Sequence, residues 1–274
     1  MKQFIRHYLS RTTFQWSVAL LMIGCAAVLH SPALQAYYAN GQPAAGVAGQ
    51  SLTDGSPSYT SSTVNNPGNI GMNTPSGIAI DTTRHLAYAV DTGNSRVLVY
   101  TLNTDNSFPD YKADYVLGQS NFVGTKPNRG NTTPSQNSLN NPTRVAVDLS
   151  TGDLYVSDTA NNRVLIFATV TANGQNATHV IGQGNFTNTN SSGYVSQNTM
   201  LSPLGIALSG SGANLKIYIA DKDFNRVLVF GQITADGQNA VRVLGQNDFV
   251  SSTSGLSQSA LASPSGVDVD GSGK

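Results

Sequence analysis

Glutamate is missing from this chain: all fifteen acidic residues among the 274 are aspartate. Aspartate favours turns and caps over helix interiors, and only six lysines accompany 27 glycines, so the composition predicts short strands and tight turns with little helix. Charged residues make up 11% of the chain, yet Val, Ile, Leu, Tyr and Phe recur in short bursts, which excludes a disordered polar chain. Histidine is scarce as well. Of the four, His7 and His30 lie in the N-terminal segment, His85 in a predicted turn and His179 in a predicted outer strand. No pair has metal-ligand spacing and no Glu exists to act as a general base, so no cofactor, no metal and no catalytic residue is expected from this sequence.

Long hydrophobic runs are also lacking. The longest, Trp16–Leu29, has 14 residues, short of the roughly 20 that span a bilayer as a helix. Lys2, Arg6 and Arg11 precede it, and Leu34-Gln35-Ala36 follows as a cleavage sequence before Tyr37, so residues 1–36 read as a signal peptide and the mature chain carries no membrane span. Cys25, the sole cysteine, follows Met22-Ile23-Gly24 and loosely resembles a lipoprotein box. Because the apolar run continues through Leu29, the favoured reading is a small residue inside the hydrophobic region, giving a secreted or cell-surface protein released by cleavage. Cleavage at Ala36 leaves 12 Lys+Arg against 15 Asp and no cysteine. That excludes disulfide stapling, and the missing basic face argues against a nucleic-acid partner.

What is present is a repeat. Pro75, Pro142, Pro203 and Pro264, spaced by 67, 61 and 61 residues, each precede a short strand (GIAID, RVAVD, GIALS, GVDVD). Asp91, Asp158 and Asp221 end a second strand, and Arg96, Arg163 and Arg226 open a third (RVLVY, RVLIF, RVLVF). A fourth ends in Gly-Gln at Gln119, Gln183 and Gln246, and the same signature closes Gly46–Gln50. Self-similarity at such a period signals a solenoid, propeller or array, and four strands per repeat select the propeller. The third strands are apolar throughout, as expected when both sheet faces are covered. The small residues Ala79, Ala146 and Ala207 centre the first strands, where blades converge. Thr171-Ala172-Asn173-Gly174 and Thr234-Ala235-Asp236-Gly237 predict hairpins between third and fourth strands. The expected organisation is a signal peptide (1–36), a polar segment (37–71) with a closing strand near 46–50, and propeller repeats over 72–274 (72–138, 139–199, 200–260 and an incomplete 261–274). The fold class is all-β: a propeller of four-stranded antiparallel blades, three complete with single strands at each end, expected as a fragment of a six-bladed ring.

Pro142, its Val/Ala strand, Leu154-Tyr155-Val156-Ser157-Asp158 and Asn161-Asn162-Arg163-Val164-Leu165-Ile166-Phe167 closely resemble the NHL repeat. The longer period and the Gly-Gln-x-x-Phe ending (Phe122, Phe186, Phe249) resemble the bacterial exported members of that family. The extra residues fall in Asn/Ser/Thr-rich connections such as 119–141, so each blade is expected to carry a long loop on one face.

The Asp-x-x-Asn-x-Arg set is the obvious candidate site: Asp91, Asn94 and Arg96; Asp158, Asn161 and Arg163; Asp221 and Arg226, with Phe224 in place of Asn. Because it recurs in every repeat, whereas a catalytic site needs unlike residues converging once, it is expected to be structural hairpin hardware. The Gln of Gly-Gln is expected to satisfy loop backbone groups, and the following Phe to tuck the loop down. The resemblance also implies an alternative, a metal-dependent propeller lyase or hydrolase with ligands at the axis. Ser76, Thr143, Leu204 and Ser265 follow the axial prolines and are poor ligands. Asp81, Asp148 and Asp270, at first-strand ends, remain as cation candidates for which turn capping is favoured. The expected function is therefore an exported, non-catalytic scaffold whose loops, with Tyr59, Tyr111, Tyr194, Phe122 and Phe186 among many Asn and Ser, bind a protein or carbohydrate. Expressed with its leader in an exporting host, the recovered protein is expected to begin at Tyr37 by intact-mass measurement. A product beginning at a lipid-modified Cys25 would overturn the cleavage assignment.

Overall fold

The computed structural model describes residues 67–189 and 194–270, together with 46–50, 58–60 and the single residues 44, 52 and 56. Residues 1–36, expected to be a signal peptide, and Cys25 within them lie outside the described residues. Twelve strands form three four-stranded antiparallel sheets, each running through its strands in sequence order. The first contains β1 (Pro75–Asp81), β2 (Leu86–Asp91), β3 (Arg96–Thr101) and β4 (Tyr115–Leu117). The second contains β5 (Val145–Val147), β6 (Leu154–Asp158), β7 (Arg163–Phe167) and β8 (His179–Ile181). The third contains β9 (Pro203–Ser209), β10 (Lys216–Asp221), β11 (Arg226–Phe230) and β12 (Arg242–Leu244). These are three blades of a β-propeller. No helix among the described residues is long and apolar enough to cross a membrane.

Side-chain alternation explains why the third strands read as continuous apolar runs. Along β7, Leu165 and Phe167 enter the core shared with blade 1, beside Val97, Val99 and Leu117. Val164 and Ile166 enter the core shared with blade 3, beside Ile217, Leu228 and Phe230. A strand with period-two geometry and both faces covered needs apolar residues at every position. The outer face of blade 1 is covered in part by Ala48, Phe108 and Phe122. There the Phe108 ring meets Tyr100 edge-on at 5.5 Å and stacks on Tyr111 at 5.5 Å. First strands of consecutive blades are neighbours, β1 beside β5 and β5 beside β9, so the small Ala79, Ala146 and Ala207 sit where the blades approach one another.

The Asn-Gly and Asp-Gly pairs do not make the tight hairpins that their chemistry suggests. They lie inside connections spanning residues 168–178 and 231–241 and dock on the outer strand of the preceding blade. Val116 donates its N–H to Asn173 Oδ1 at 3.0 Å and accepts from the Gly174 N–H at 2.7 Å. Val180 repeats this with Asp236 Oδ1 at 3.1 Å and Gly237 at 2.9 Å. The turn residues thus latch one blade to the next and cover an otherwise unpaired edge.

Residues at the two ends of the repeat array differ from the expected strands. Segment 46–50 makes one β-bridge, Gln50 with Gly71, and residues 264–270 carry no ladder. Both still occupy repeat positions. Met72 donates to the Gly49 carbonyl at 3.3 Å just as Met200 does to Gly182 at 3.3 Å, and the backbone of Gly266–Val267 packs against Gly205.

Each Gly of the Gly-Gln signature has left-handed backbone, with φ of +83°, +84°, +86° and +82° at Gly49, Gly118, Gly182 and Gly245. A Cβ at Gly118 would lie 2.6 Å from the Leu139 side chain, the apolar residue that leads into the next blade. Conformation and contact both demand glycine there. Gly118→Ala is expected to destabilise the protein by about 1–3 kcal/mol in denaturant unfolding. Gly231→Ala, where nothing lies within 4 Å of the added Cβ, should change stability by no more than about 1 kcal/mol.

Candidate functional site

The recurrent Asp, Asn and Arg side chains converge within each blade. Each second strand ends at its Asp, a single 3-10 turn follows in blades 1 and 2 and a turn over 222–225 in blade 3, and a left-handed residue (Ser95, φ 50°; Asn162, φ 56°; Asn225, φ 53°) returns the chain into the Arg. The Arg Nε donates to Oδ2 of the Asp at 2.6 Å (Arg96–Asp91), 2.7 Å (Arg163–Asp158) and 2.8 Å (Arg226–Asp221), with every one of these side chains fully buried. Asn94 and Asn161 donate to the same oxygens at 2.9 and 2.8 Å. In blade 3, where Phe224 replaces Asn, the Arg226 guanidinium lies 5.1 Å over the Phe224 ring, a cation–π contact in place of an amide bond.

The pair reaches beyond its hairpin to both ends of the blade. Oδ1 of each Asp accepts a backbone N–H from the segment entering the first strand: Asn73 at 2.6 Å, Asn140 at 2.7 Å and Leu201 at 2.7 Å. The Arg Nη2 donates to carbonyls of that same entering segment: Gly71 at 2.9 Å, Ser135 and Ser138 at 3.0 Å, and Ser196 and Thr199 at 3.0 and 2.8 Å. Nη1 donates to the carbonyl of the Phe that follows the fourth strand, at Phe122, Phe186 and Phe249. One buried ion pair therefore ties the start, middle and end of each blade. Burial pushes the carboxyls of Asp158 and Asp221 up, the latter to about 6, against the opposing pull of Arg163 and Arg226.

The Gln of Gly-Gln holds the same corner from the other side. Its amide donates to the carbonyl of the left-handed residue: Gln119 to Ser95 at 3.0 Å, Gln183 to Asn162 at 3.1 Å and Gln246 to Asn225 at 2.8 Å. Gln119 and Gln246 also hold the long connection itself, through Lys126 at 2.9 Å and Thr253 at 3.0 Å. Within the first connection Asn128 is buried and exchanges amide hydrogen bonds with Asn161 at 2.8 and 3.2 Å. Phe122, Phe186 and Phe249 pack partly buried against the cores. Val123, Tyr194, Val250 and Leu256, on the same connections, stand 66%, 73%, 68% and 99% exposed. Tyr59 is exposed too, whereas Tyr111 is half-buried beneath Phe108.

Near the axis the sequence-predicted positions are occupied by contacts between blades. Ser76 Oγ donates to the Thr143 carbonyl at 2.8 Å and lies 2.6 Å from Thr92 Oγ1, which donates to the Pro142 carbonyl at 2.7 Å. Thr143 pairs with Thr159 at 2.7 Å, and Thr159 donates to Pro203 at 2.8 Å. Thr92 and Thr159 escape notice in the sequence, although a Thr follows the hairpin Asp in two repeats and Lys222 stands there in the third. Asp81 Oδ1 accepts the N–H groups of Thr83 and Arg84 at 3.0 and 2.9 Å, and Asp148 Oδ1 accepts the Ser150 N–H at 2.8 Å. Both therefore cap their turns. His85 lies against Asn106 and His179 against Asp236, at 2.9 and 3.2 Å. Among the described residues no group of three or more His, Cys, Asp or Glu is placed to hold a metal ion.

Four-stranded blades, each closed by a buried Asp–Arg pair at the second hairpin and continued through a docked long connection, define a repeat-built propeller scaffold. Residues 139–167, within the second blade, match the NHL repeat. No curated protein matches the chain by sequence. Among solved structures, hydrazine synthase from Kuenenia stuttgartiensis is similar with a TM-score of 0.46 at 13% identity, over 79% of this chain and 43% of that one. An auxiliary nutrient binding protein from Bacteroides ovatus is similar with a TM-score of 0.46 at 10% identity, over 74% and 44%. The periplasmic gluconolactonase of Pseudomonas aeruginosa gives 0.37 at 18% identity, over 70% and 48%. The chain thus spans less than half the length of each of these proteins.

Arg163→Ala leaves Asp158 buried without its cation and should cost about 3–5 kcal/mol in denaturant unfolding. Arg163→Lys is expected to recover less than half of that loss, because an ammonium cannot reach three divergent acceptors in one plane. Full recovery by Lys would contradict the three-way role of the guanidinium.

Proposed function

We propose that the protein is an exported, non-catalytic β-propeller scaffold that binds a protein or a carbohydrate through the face carrying its long connections. Export rests on the leader at residues 1–36. In this reading Asp91, Asn94, Arg96, Asp158, Asn161, Arg163, Asp221 and Arg226 are structural, since each is buried and its hydrogen bonds go to its own hairpin and to the connections that enter and leave its blade.

The observation that carries the proposal is the contrast within the connections. Their backbones are held by the buried Arg, by the Gln amides and by Asn128, while Val123, Tyr194, Val250 and Leu256 project into solvent. Apolar and aromatic side chains on restrained backbone are suited to recognition, because little conformational freedom remains to be lost on binding. The exposed set also differs from blade to blade: Val123 and Val250 follow their Phe where blade 2 has Thr187. Variation on an invariant frame is how repeat scaffolds acquire a ligand.

The test is binding of the purified chain to a printed glycan array and to an immobilised random-peptide library, with a variant carrying Tyr194→Ser and Leu256→Ser. At least one surface should give signal, and the variant should lose about tenfold or more with its Tm within about 2 °C of the parent. Silence on both surfaces, or signal untouched by the double substitution, would refute the proposal.

A further inference from the structure

The second strands carry Tyr88, Tyr155 and Tyr218 at one repeat position, and the two interfaces between blades treat the first two differently. Between blades 1 and 2 the groove above Tyr88 is closed by Arg84. Its Nη1 donates to Asp81 Oδ2 at 3.2 Å and crosses to the Leu149 carbonyl at 3.2 Å, and its Nη2 donates to the Ser150 carbonyl at 3.3 Å. Gly152 leaves room for it, since a Cβ there would lie 2.5 Å from Arg84 Nε. Tyr88 is fully buried beneath, and its hydroxyl makes no hydrogen bond among the described residues.

Between blades 2 and 3 the same positions are Asp148 for Asp81, Thr151 for Arg84 and Tyr155 for Tyr88. With Thr in place of Arg the groove is open, and a cavity of about 220 Å³ remains, lined by Asp148, Thr151, Asp153, Tyr155 and His179 among others. Asp148 is 6% exposed, its Oδ1 is taken by Ser150, and no hydrogen bond reaches its Oδ2 among the described residues. Tyr155 is 2% exposed, and no protein hydrogen bond engages its hydroxyl within this cavity. Burial and the carboxylates of Asp153 and Asp148 push that phenol well above its ordinary value, so it stays protonated. The adjoining depression is lined by Gly210 and Ser211, the counterparts of the residues whose carbonyls receive Arg84. At the rim, His179 is partly exposed and faces Asp236.

We propose that the groove between blades 2 and 3 is a binding site for a guanidinium-bearing cation, which takes the place that Arg84 fills in the neighbouring interface. The template is the chain's own. Where the guanidinium is supplied in cis, it satisfies a buried carboxylate and two turn carbonyls; where it is withheld, the carboxylate and the space remain. Charge selects a cation, because two carboxylates face the cavity. The volume, room for about seven waters at roughly 30 Å³ each, fits a guanidinium and part of its alkyl stem. The site lies on the side of the blade opposite the long connections and does not depend on the function proposed for them.

Isothermal titration of the full chain with agmatine, with the tripeptide Gly-Arg-Gly and with xylose as a neutral polyol tests the assignment. Agmatine or the tripeptide should bind saturably and xylose should not, and the tighter of the two cations tells a free amine from an arginyl side chain. Asp148→Asn, which keeps an acceptor for Ser150, is expected to weaken binding by about tenfold or more. Thr151→Arg, which copies Arg84 into the empty position, should abolish binding while the chain stays folded by circular dichroism. No saturable heat with either cation up to ~10 mM, binding undiminished in folded Thr151→Arg, or xylose binding as tightly as agmatine would each overturn the proposal.

Discussion

The interaction on which the rest depends is the buried pair of an Asp at the end of each second strand with an Arg at the start of each third. An ion pair wholly removed from water is costly, since desolvation of each charge must be offset by well-placed partners. Here the geometry supplies them. The carboxylate receives the Arg, an Asn in two blades and a backbone N–H from the entering segment; the guanidinium reaches three groups in three directions. A methylene core of the same volume would solve the desolvation problem but would not choose among loop conformations. The pair does choose, because it is satisfied only when the entering segment, the hairpin and the exit from the fourth strand are all in place.

This explains how strands as short as three residues suffice. β4, β5, β8 and β12 each span three residues, too few for a ladder to fix the chain unaided. The fourth strands among them are positioned from outside, β4, β8 and β12 by left-handed glycines packed on Leu139, Met200 and Leu261, and β4 and β8 also by the Asn-Gly and Asp-Gly latches of the following blade. Blade order is therefore written into side chains that leave one blade and end on the next.

Most of this frame was legible in the sequence because it repeats. Four-strand blades and apolar third strands follow from comparing one repeat with another, as does the recurrence of Asp158, Asn161 and Arg163 at one place in the hairpin. The Asn-Gly pairs misled, since a dipeptide signals a turn without saying how long the surrounding connection is or what it docks against. The hydroxyl pairs Ser76–Thr92 and Thr143–Thr159 were hidden for a different reason. Their partners lie 16 residues apart and their acceptors in another blade, a relation that no local pattern expresses. Segment 46–50 illustrates the limit of homology within a chain: it kept the glycine conformation and the contact with Met72 while forming one bridge in place of a strand.

Repetition also makes departures informative. A residue present in every blade answers a demand of the blade, so its absence from one copy must be compensated there or must leave a trace. Phe224 is compensated, because its ring sits under the guanidinium that the missing Asn would have flanked. Thr151 is not. Where Arg84 satisfies Asp81 and seals the groove over Tyr88, Thr151 leaves Asp148 without a cation beside a cavity. A nearly buried carboxylate without a cation is costly to maintain, and of the two interfaces described, the one that lacks the arginine is the place where a ligand would complete the pattern.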